Sequence, residues 1–410
     1  MQPLKLRVYG SFYDSQIYSG RLYLWTTQGS IVIVDWDRFI EELSIPNHLR
    51  IALIAGFKQG EYLYGEHWKL FFGDESIRLI IEEKFNELAT YPLEFSFSDL
   101  QKYQIREQDN PLPFPHSDSL IYSNTLFIGS RSGVHSTNID KRRKNPIGKH
   151  PDMLWEGPAL SISASYRTLA ISAGDEGLYQ RFLGNGYNNS NASNNNNFIH
   201  KIIDQHSSLC RWLYASIFSS SSVGASYLAE FIYQRNESDI DSSRRHLEKI
   251  HNSLEFLPNE DFSDLEFVWG LHDKLCYATS KSIHIVKYAP FKEPNERFII
   301  FGSVRAIRES KINTIITADS SLFGYILEYE NGLLVIYGPD ESFWINGEPV
   351  NWRVFPRSVF YTNHLHVIND EAITIFSFNH DYFVNQETKK VGIRHSAYPV
   401  RRTYRPSIPF

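Results

Sequence analysis

Short alternating runs of apolar and polar residues are the dominant pattern along this chain. Residues 14–29 form an apolar run, a turn at Gly20, a second alternating run and a polar segment that ends in glycine. Residues 118–133 repeat this pattern with Asn124 at the turn, and seven of the sixteen aligned positions are identical without a gap. A period of two predicts β-strands, and Gly or Asn suits a turn with positive φ. Each copy therefore predicts two strands around a tight turn, followed by a hairpin.

Weaker copies of the same unit follow along the chain. One apolar residue marks each copy, and most intervals between successive marks are 40 to 56 residues. One interval of 106 residues has room for a further unit, with Arg211–Phe218 and Ser226–Tyr233 as its candidate strands. Self-similarity at such a period indicates a repeated supersecondary unit. The marking residues are Leu22, Leu70, Leu126, Leu169, Leu275, Ile315 and Leu365.

A period of about 40–50 residues with about four strands per unit is typical of a β-propeller. The predicted fold class is all-β: a β-propeller of about seven four-stranded blades, with room for an eighth and with short helical insertions. The units resemble WD40 blades at the hairpin Gly174–Gly177 and at Val34–Asp37, where a Trp-Asp pair ends a strand. The chain departs from the WD40 pattern, because no Gly-His pair opens the blades and only one blade carries Trp-Asp. A large β-sandwich or two small β domains is the alternative.

The predicted organisation is one propeller over residues 1–388 and a basic, aromatic tail over residues 389–410. The N-terminal strand from Leu6 to Tyr13 is a candidate to complete the last blade. Glu237–Asn252 resembles a short amphipathic helix. Three insertions interrupt the propeller: one near 38–58, predicted to be a helical excursion between the first two units, one near 184–200, rich in asparagine, and one near 236–262.

Composition supports sheets and narrows the class of protein. Aromatic residues make up 15% of the 410 residues, with 28 Phe and 24 Tyr but only 2 Met and 2 Cys. Phe and Tyr suit the half-buried surface of a strand, whereas a large helical protein relies more on Ala, Leu and Met. Cys210 and Cys276 are too few for a disulfide framework, which favours a reducing compartment and two buried, inert thiols. Because the sequence shows neither a signal-peptide pattern nor a run of about 18–20 apolar residues, we expect a cytoplasmic protein.

Two basic clusters stand out on a chain whose net charge is −6. The first, Lys141–Lys144, is predicted to lie in a loop between units. The second is the tail, which has six basic residues and no acidic residue. Arginine next to tyrosine suits phosphate, unstacked bases or an acidic groove on a protein, and the alternative is a tail extended over the propeller's own acidic surface. The candidate partner-binding residues are Arg394, Tyr398, Arg401, Arg402, Tyr404, Arg405, Lys141, Arg142, Arg143 and Lys144.

The sequence contains no nucleophile-elbow, phosphate-loop or dinucleotide-binding motif. His364 and His366 are two residues apart on one strand face with no evident acidic third ligand, so we expect outer-strand surface or packing residues. Asp175–Gly177 resembles a single aspartate box of sialidase-like propellers, but Thr-Trp does not follow it. We therefore predict no catalytic residue, no cofactor and no metal.

The leading hypothesis is a non-catalytic propeller scaffold that mediates protein–protein interactions within an intracellular multiprotein complex, with no membrane partner. Binding residues tend to lie on loops that a rigid scaffold holds in place. One alternative is a nucleic-acid- or ribonucleoprotein-associated subunit that contacts the phosphate backbone through the basic tail. Another is a propeller hydrolase with an active site at the channel mouth, because spacing in sequence does not report where carboxylates converge in space.

Overall fold

The computed structural model describes residues 2–58, 74–140, 146–183, 199–221, 225–235, 243–257, 265–271, 274–279, 282–305, 314–321, 323–337, 341–358 and 360–379. Contacts between residues divide the chain into two units. The first unit consists of Met1–Asp109 and Ile307–Phe410, and the second unit is Asn110–Ala306. Each β-sheet lies wholly within one unit.

The first unit begins with strands and short helices. Its elements are β1 (Leu4–Tyr9), β2 (Phe12–Tyr18), β3 (Arg21–Thr26), β4 (Ile31–Asp35), α1 (Trp36–Glu42), a 3-10 turn (Asn47–Leu49), α2 (Arg50–Phe57), α3 (Glu75–Thr90), β5 (Leu93–Ser96), α4 (Phe97–Gln101) and β6 (Gln104–Gln108).

The second unit consists almost entirely of strands. Its elements are β7 (Asp118–Tyr122), β8 (Thr125–Ser130), β9 (Gly133–Asn138), β10 (Asp152–Trp155), β11 (Ser161–Ser165), β12 (Thr168–Ser172), β13 (Leu178–Phe182), β14 (Ile199–Ile203), β15 (Leu209–Leu213), β16 (Ser216–Ser220), β17 (Tyr227–Arg235), β18 (Ser243–Asn252), α5 (Ser253–Phe256), β19 (Leu265–Leu271), β20 (Lys274–Thr279), β21 (Ser282–Tyr288), a 3-10 turn (Pro294–Glu296) and β22 (Phe298–Arg305).

The first unit then continues with strands alone among the described residues. These are β23 (Thr317–Ser321), β24 (Gly324–Tyr329), β25 (Gly332–Ile336), β26 (Ser342–Asn346), β27 (Asn351–Val354), β28 (His364–Ile368) and β29 (Ala372–Ser377).

Three sheets form in the first unit. Blade 1 has the strand order β2-β3-β4-β6, blade 6 has β23-β24-β25-β26, and blade 7 has β27-β28-β29-β1-β5. In blade 7, β1 pairs antiparallel with β29 from Leu4 opposite Ser377 to Tyr9 opposite Ala372. The N-terminal strand therefore completes the last blade, as predicted. β5 then adds to β1 as a fifth, parallel strand.

Four sheets of four strands form in the second unit. In chain order they are blade 2 (β7 to β10), blade 3 (β11 to β14), blade 4 (β15 to β18) and blade 5 (β19 to β22), each with neighbouring strands paired in sequence order. Blade 4 fills the long interval in the repeat, and β15, β16 and β17 lie where its strands were predicted. Seven sheets of successive antiparallel strands confirm the predicted fold class, a β-propeller of seven blades, and the described residues contain no eighth sheet.

The repeat marks an equivalent position in most blades. Leu22, Leu126, Leu169, Leu275 and Leu365 are each the second residue of the second strand of a blade, and each is fully buried. Their shared place in the second strand shows that the repeat aligns equivalent positions in these five blades.

One marking residue was assigned wrongly, and a second lies outside the described residues. Ile315 precedes β23, and Tyr325 holds the equivalent position in β24. Leu70 lies outside the described residues, and the strand predicted after it is α3. This segment is helical because the Asp74 side chain accepts a hydrogen bond from Ser76 N at 2.8 Å, which caps the N-terminus. Its apolar residues also recur at helical spacing, with Phe85 and Leu88 buried.

Helices α1 and α2 confirm the helical insertion, but its place differs from the prediction. The insertion runs from the third to the fourth strand of blade 1, and it does not separate two blades. Trp36, the tryptophan of the Trp-Asp pair, directly follows the third strand as the first residue of α1 and donates a hydrogen bond from Nε1 to Phe57 O at 2.7 Å. Phe39 and Leu53 pack with Leu6 in one buried cluster, so these helices cover the outer strands of blade 7. No helix in the described ranges is long and apolar enough to cross a membrane.

The helix predicted over Glu237–Asn252 is wrong. Residues 243–252 form β18, which pairs antiparallel with β17 from Tyr227 opposite Asn252 to Arg235 opposite Ser243. The open edge of β17 offers backbone hydrogen bonds along its whole length, and this tertiary pairing outweighs the weak helical spacing of the segment.

Candidate interaction surface

All candidate partner-binding residues from the sequence lie outside the described residues. They belong to residues 389–410 and to the segment of sequence between β9 and β10: Arg394, Tyr398, Arg401, Arg402, Tyr404, Arg405, Lys141, Arg142, Arg143 and Lys144. The assignment of these residues to partner binding remains a prediction.

A buried carboxylate links the outer parts of blades 4 and 5. Glu230 of β17 is 2% exposed. Its Oε2 accepts a hydrogen bond from Arg297 Nη1 at 2.6 Å, and it lies 2.9 Å from Nε2 of His251 on β18. Arg297 directly precedes β22, so a single carboxylate holds two strands of blade 4 and the last strand of blade 5 together.

The surroundings of Glu230 favour its charged form. Burial alone raises the pKa of Glu230, but the hydrogen bond with His251 and the charge of Arg297 outweigh this effect and lower the pKa. On the other side of the imidazole, Glu255 Oε2 lies 3.3 Å from His251 Nδ1. The pKa of Glu255 is also lowered, chiefly by the hydrogen bond from Lys249. Both carboxylates are therefore ionised at neutral pH.

Aromatic rings form the base of this cluster. Phe298 of β22 stacks on Tyr288 with ring centroids 5.4 Å apart and packs edge-on against His251 at 5.2 Å. The Tyr288 hydroxyl hydrogen-bonds Ser216 Oγ at 2.9 Å, and burial raises the pKa of Tyr288. These contacts fix the relative position of the outer strands of both blades.

Beyond the buried cluster, apolar side chains face solvent. They come from β17 and β18 in blade 4 and from β22 in blade 5, and between 37% and 50% of each residue is exposed. Exposed apolar side chains are a feature of protein-binding surfaces. These side chains lie on both faces of their strands, because Leu247 pairs with Phe231 and the consecutive Ile299 and Ile300 point to opposite sides. We call this set of exposed side chains the outer surface of blades 4 and 5; it comprises Ile232, Leu247, Ile250, Ile299 and Ile300.

Two aspartates, the buried Asp14 and the half-buried Asp118, link the first strands of neighbouring blades. In the second unit, Asp118 of β7 accepts hydrogen bonds from Ile162 N at 2.9 Å and from Ser161 Oγ at 3.2 Å, both on β11. In the first unit, Asp14 of β2 accepts hydrogen bonds from Arg353 Nη2 and Asn351 Nδ2 of β27, each at 3.1 Å. Because these carboxylates bind backbone and side-chain donors of the next blade, their role is to join blades.

The two histidines of β28 are fully buried, so they are packing residues and not surface residues. His364 Nε2 lies 2.9 Å from Gly56 O, and His366 Nδ1 lies 3.0 Å from Ser15 Oγ. Burial lowers the pKa of His364 to about 4 and that of His366 well below its usual value. Within the parts of the chain that the structure describes, no group of three or more His, Cys, Asp or Glu residues is placed to hold a metal ion.

Both cysteines are buried free thiols, as predicted. Burial raises the pKa of Cys210 to about 11, so the reactive thiolate is not populated at neutral pH.

The charge state of the site also bears on hydrolysis. The carboxylates of Glu230 and Glu255 flank His251, but a glycoside hydrolase needs one carboxyl group that stays protonated as a general acid. Lowered pKa values for both groups do not supply that acid. Neither carboxyl group of this cluster is therefore held protonated, as the general acid of a glycoside hydrolase would be.

The fold and this surface define the class of protein as a seven-bladed β-propeller. No protein-family model and no curated protein sequence matches the chain. Among solved structures, the chain is similar to the WD40 domain of Neurospora crassa Pan2, with 8% identity and a TM-score of 0.45 over 90% of this chain and 89% of that chain.

Two further solved structures show a comparable likeness. The β-propeller domain of Myceliophteria thermophila Cps50 (Swd1) is 8% identical, with a TM-score of 0.46 over 90% of this chain and 96% of that chain. A chain of a mitotic checkpoint complex is 10% identical, with a TM-score of 0.41 over 91% of this chain and 86% of that chain. The propeller assignment rests on the strand order of the seven sheets, and these likenesses concern the fold alone.

Proposed function

We propose that this protein is a non-catalytic β-propeller scaffold that binds other proteins within an intracellular multiprotein complex. The observation that carries the proposal is the outer surface of blades 4 and 5, where five apolar side chains face solvent. Exposed apolar area of this kind is costly in water and is stabilised when a partner covers it. The two buried free thiols support a reducing compartment such as the cytoplasm.

The contacts beneath the outer surface of blades 4 and 5 favour a role in binding and not in catalysis. The ion pair of Glu230 with Arg297 and the stack of Tyr288 on Phe298 hold the outer strands in one arrangement. A surface that is already ordered loses little conformational entropy when it binds, and this raises the affinity for a partner.

Affinity purification tests the scaffold function. Full-length tagged protein is recovered from the cells that produce it at several salt concentrations, and its mass is measured by size-exclusion chromatography with light scattering. We expect one or more stoichiometric partners. The double substitution of Ile299→Glu with Ile300→Glu should release the partner that covers this surface. Met153→Glu, at a residue that is 51% exposed on β10, is the matched control and should retain it.

Recovery of the wild-type protein only as a lone monomer at every salt concentration would contradict the scaffold function. If the Ile299→Glu, Ile300→Glu protein retains all partners, these two residues are not part of the binding site.

A second candidate function is contact with nucleic acid through residues 389–410. The observation that favours it is the tail's composition of six basic residues and no acidic residue on a chain of net charge −6. Phosphate contacts release counterions, so binding of a fluorescent oligouridine should weaken steeply between about 50 and 200 mM salt. Replacement of the six Lys and Arg residues of the tail by Gln should abolish this binding. Equal binding by the substituted protein would exclude the tail as the nucleic-acid site.

A further inference from the structure

The last strand of blade 6 differs from the last strands of the other blades. β26 has the sequence Ser-Phe-Trp-Ile-Asn and contains no charged residue, whereas the last strand of every other blade contains at least one Lys, Arg, Asp or Glu. Charged residues on an edge strand oppose pairing with a further strand, so an uncharged edge is a template for such pairing. Among the described residues, no further strand pairs with the outer side of β26.

Hydrogen bonds at both ends of the hairpin show which backbone groups of β26 face its open edge. Tyr337 N donates to Glu341 O at 3.1 Å, and Gly347 N donates to Asn331 O at 2.9 Å. Bonded pairs alternate with unbonded pairs along an antiparallel ladder, so the second and fourth residues of β26 bond to β25. The N–H and C=O groups of its first, third and fifth residues therefore point away from β25. These residues are Ser342, Trp344 and Asn346.

Side-chain contacts hold β26 in place. Phe343 packs edge-on against Phe376 of blade 7 with ring centroids 5.7 Å apart, and Ile345 packs against the same buried cluster. On the other face of the strand, Trp344 is 36% exposed and its ring centroid lies 5.7 Å from that of Tyr329. An edge that is already ordered loses little conformational entropy when another strand pairs with it.

The backbone of β26 is its own complement. In an antiparallel pair of two copies centred on Trp344, Trp344 lies opposite itself and Ser342 lies opposite Asn346 of the second copy. Each N–H that points outward from one copy then meets a C=O that points outward from the other, and none of these groups is left over. The open edge of β26 therefore matches a second copy of β26 in the phase of its hydrogen bonds.

The side chains fit the same register. Phe343 lies opposite Ile345 of the second copy, which is a favourable pair of an aromatic and a β-branched residue. Glu341 lies opposite Gly347 of the second copy, so no like charges meet between residues 341 and 347. The last strand of blade 3 shows the contrast: it also has five residues, but Lys201 is at its centre, so two copies would bring like charges together.

We infer that this protein forms a homodimer in which β26 pairs antiparallel with β26 of a second copy, about a twofold axis at Trp344. The two sheets of blade 6 then form one continuous sheet. Such a contact is self-complementary, so the assembly closes at two copies. A dimer carries each partner-binding surface twice, and this raises its avidity for a partner that also has two binding sites.

The mass of the purified full-length protein tests the inference. Size-exclusion chromatography with light scattering, over a range of protein concentrations, should show an equilibrium between one copy and two. Trp344→Lys brings two like charges together on the twofold axis and should weaken dimerisation by about tenfold or more, and Trp344→Glu should do the same. An equal mixture of these two variants should dimerise again, because lysine then lies opposite glutamate. Ile316→Lys, at a residue of the same unit that is 50% exposed, is the matched control and should dimerise like the wild type.

Hydrogen exchange of the wild-type protein gives a test that does not depend on the folding of any variant. The amides of Ser342, Trp344 and Asn346 should exchange more slowly in concentrated than in dilute protein, because only the dimer supplies their hydrogen-bond acceptors. The amides of Phe343 and Ile345 should change little, since they bond to β25 in both states.

Four results would overturn the inference. The first three are a wild-type protein that stays monomeric at every concentration, a Trp344→Lys protein that dimerises as well as the wild type, and a mixture of the Trp344→Lys and Trp344→Glu proteins that stays monomeric. The fourth is protection of the edge amides that does not vary with concentration, because a segment of the same chain would then cover the edge. The scaffold function is tested separately, since it requires the recovery of a different protein.

Discussion

At the scale of single residues, hydrogen-bonded carboxylates decide where the blades are joined. The aspartates at positions 14 and 118 occupy corresponding sites in the sequence repeat, and both accept hydrogen bonds from the first strand of a neighbouring blade. Glu230 of blade 4 likewise accepts a hydrogen bond from Arg297, which precedes the last strand of blade 5. A buried carboxylate costs free energy unless hydrogen bonds and opposite charge compensate it. These residues therefore hold specific neighbours together, and truncation leaves a buried partner unsatisfied.

Removal of the Glu230 charge should destabilise the second unit. Glu230→Gln leaves Arg297 without its counter-charge, and we expect a loss of about 3 kcal/mol in the free energy of unfolding at pH 7, measured by urea titration. Because the folded pKa of Glu230 is lowered, its contribution is present above the ordinary glutamate pKa of about 4.3 and is lost as the pH falls through the folded value. The Glu230→Gln protein should show a smaller loss of stability in this acidic range. Glu176→Gln, at an exposed carboxylate of the same unit, is the control.

Protonation of the buried histidines should destabilise the first unit in mild acid. The folded pKa of His364 is about 4, against an ordinary value of about 6.5, so the unfolded chain binds more protons between these values. Stability therefore falls as the pH falls through this window, by about 2 kcal/mol between pH 7.5 and pH 5 for this residue. His364→Gln should reduce the pH dependence in urea titrations. An unchanged slope in that variant would show that His364 is not the group that titrates.

At the scale of elements, the second strand of each blade is the best-conserved feature of the internal repeat. Its second residue is buried in every blade, and it is leucine in five blades, Ile217 in blade 4 and Tyr325 in blade 6. Tyr23 and Phe127 also align in the two copies of the repeat. Both are buried, and each is the third residue of its strand, β3 or β8. The high aromatic content therefore contributes to packing between blades.

Truncation of the second-strand leucines should be costly. Leu22→Ala, Leu126→Ala and Leu169→Ala should each lower the free energy of unfolding by roughly 2–5 kcal/mol, because each leaves a cavity in a closely packed core. Leu79→Ala on α3, where the residue is 56% exposed, should cost less than about 0.5 kcal/mol. Chemical denaturation of the four variants measures both values. Costs near the control value at all three leucines would show that the register is wrong.

At the scale of the whole molecule, the N-terminal and C-terminal parts of the chain fold together in one unit, and this affects the folding rate. The first unit combines the N-terminal residues with the C-terminal ones, and β1 joins them by pairing with β29. Contacts between such distant parts of a sequence slow folding, because the loop must close before the contacts stabilise it. Charge is also uneven, since a tail of +6 leaves residues 1–388 with twice the net negative charge of the whole chain.

Loosening β1 should therefore destabilise the whole first unit. The double substitution of Leu6→Ala with Val8→Ala removes two fully buried side chains from the strand that joins the two ends of the chain, and we expect a loss of roughly 4 kcal/mol. Lys5→Ala, at an exposed position of the same strand, should have little effect. Hydrogen exchange of the β29 amides should accelerate in the double variant and not in the control. Slow exchange in both would show that β1 is dispensable for blade 7.

The sequence by itself determined most strands, the tight turns, the repeat and a propeller of about seven blades, because alternation and turn residues are local signals; the seven sheets of the structure decided the number. It also predicted a helical segment near residues 38–58 and the N-terminal strand of blade 7, but it did not predict that the helices lie within blade 1. Only the tertiary structure decided that residues 243–252 form a strand, because the edge of β17 supplies their hydrogen-bond partners. The ion cluster at Glu230 also depends on strands distant in sequence, although one acidic residue inside the apolar run Tyr227–Tyr233 was a signal that could have indicated it. Local patterns report what a segment can form, and contacts between segments decide which surface remains for a partner.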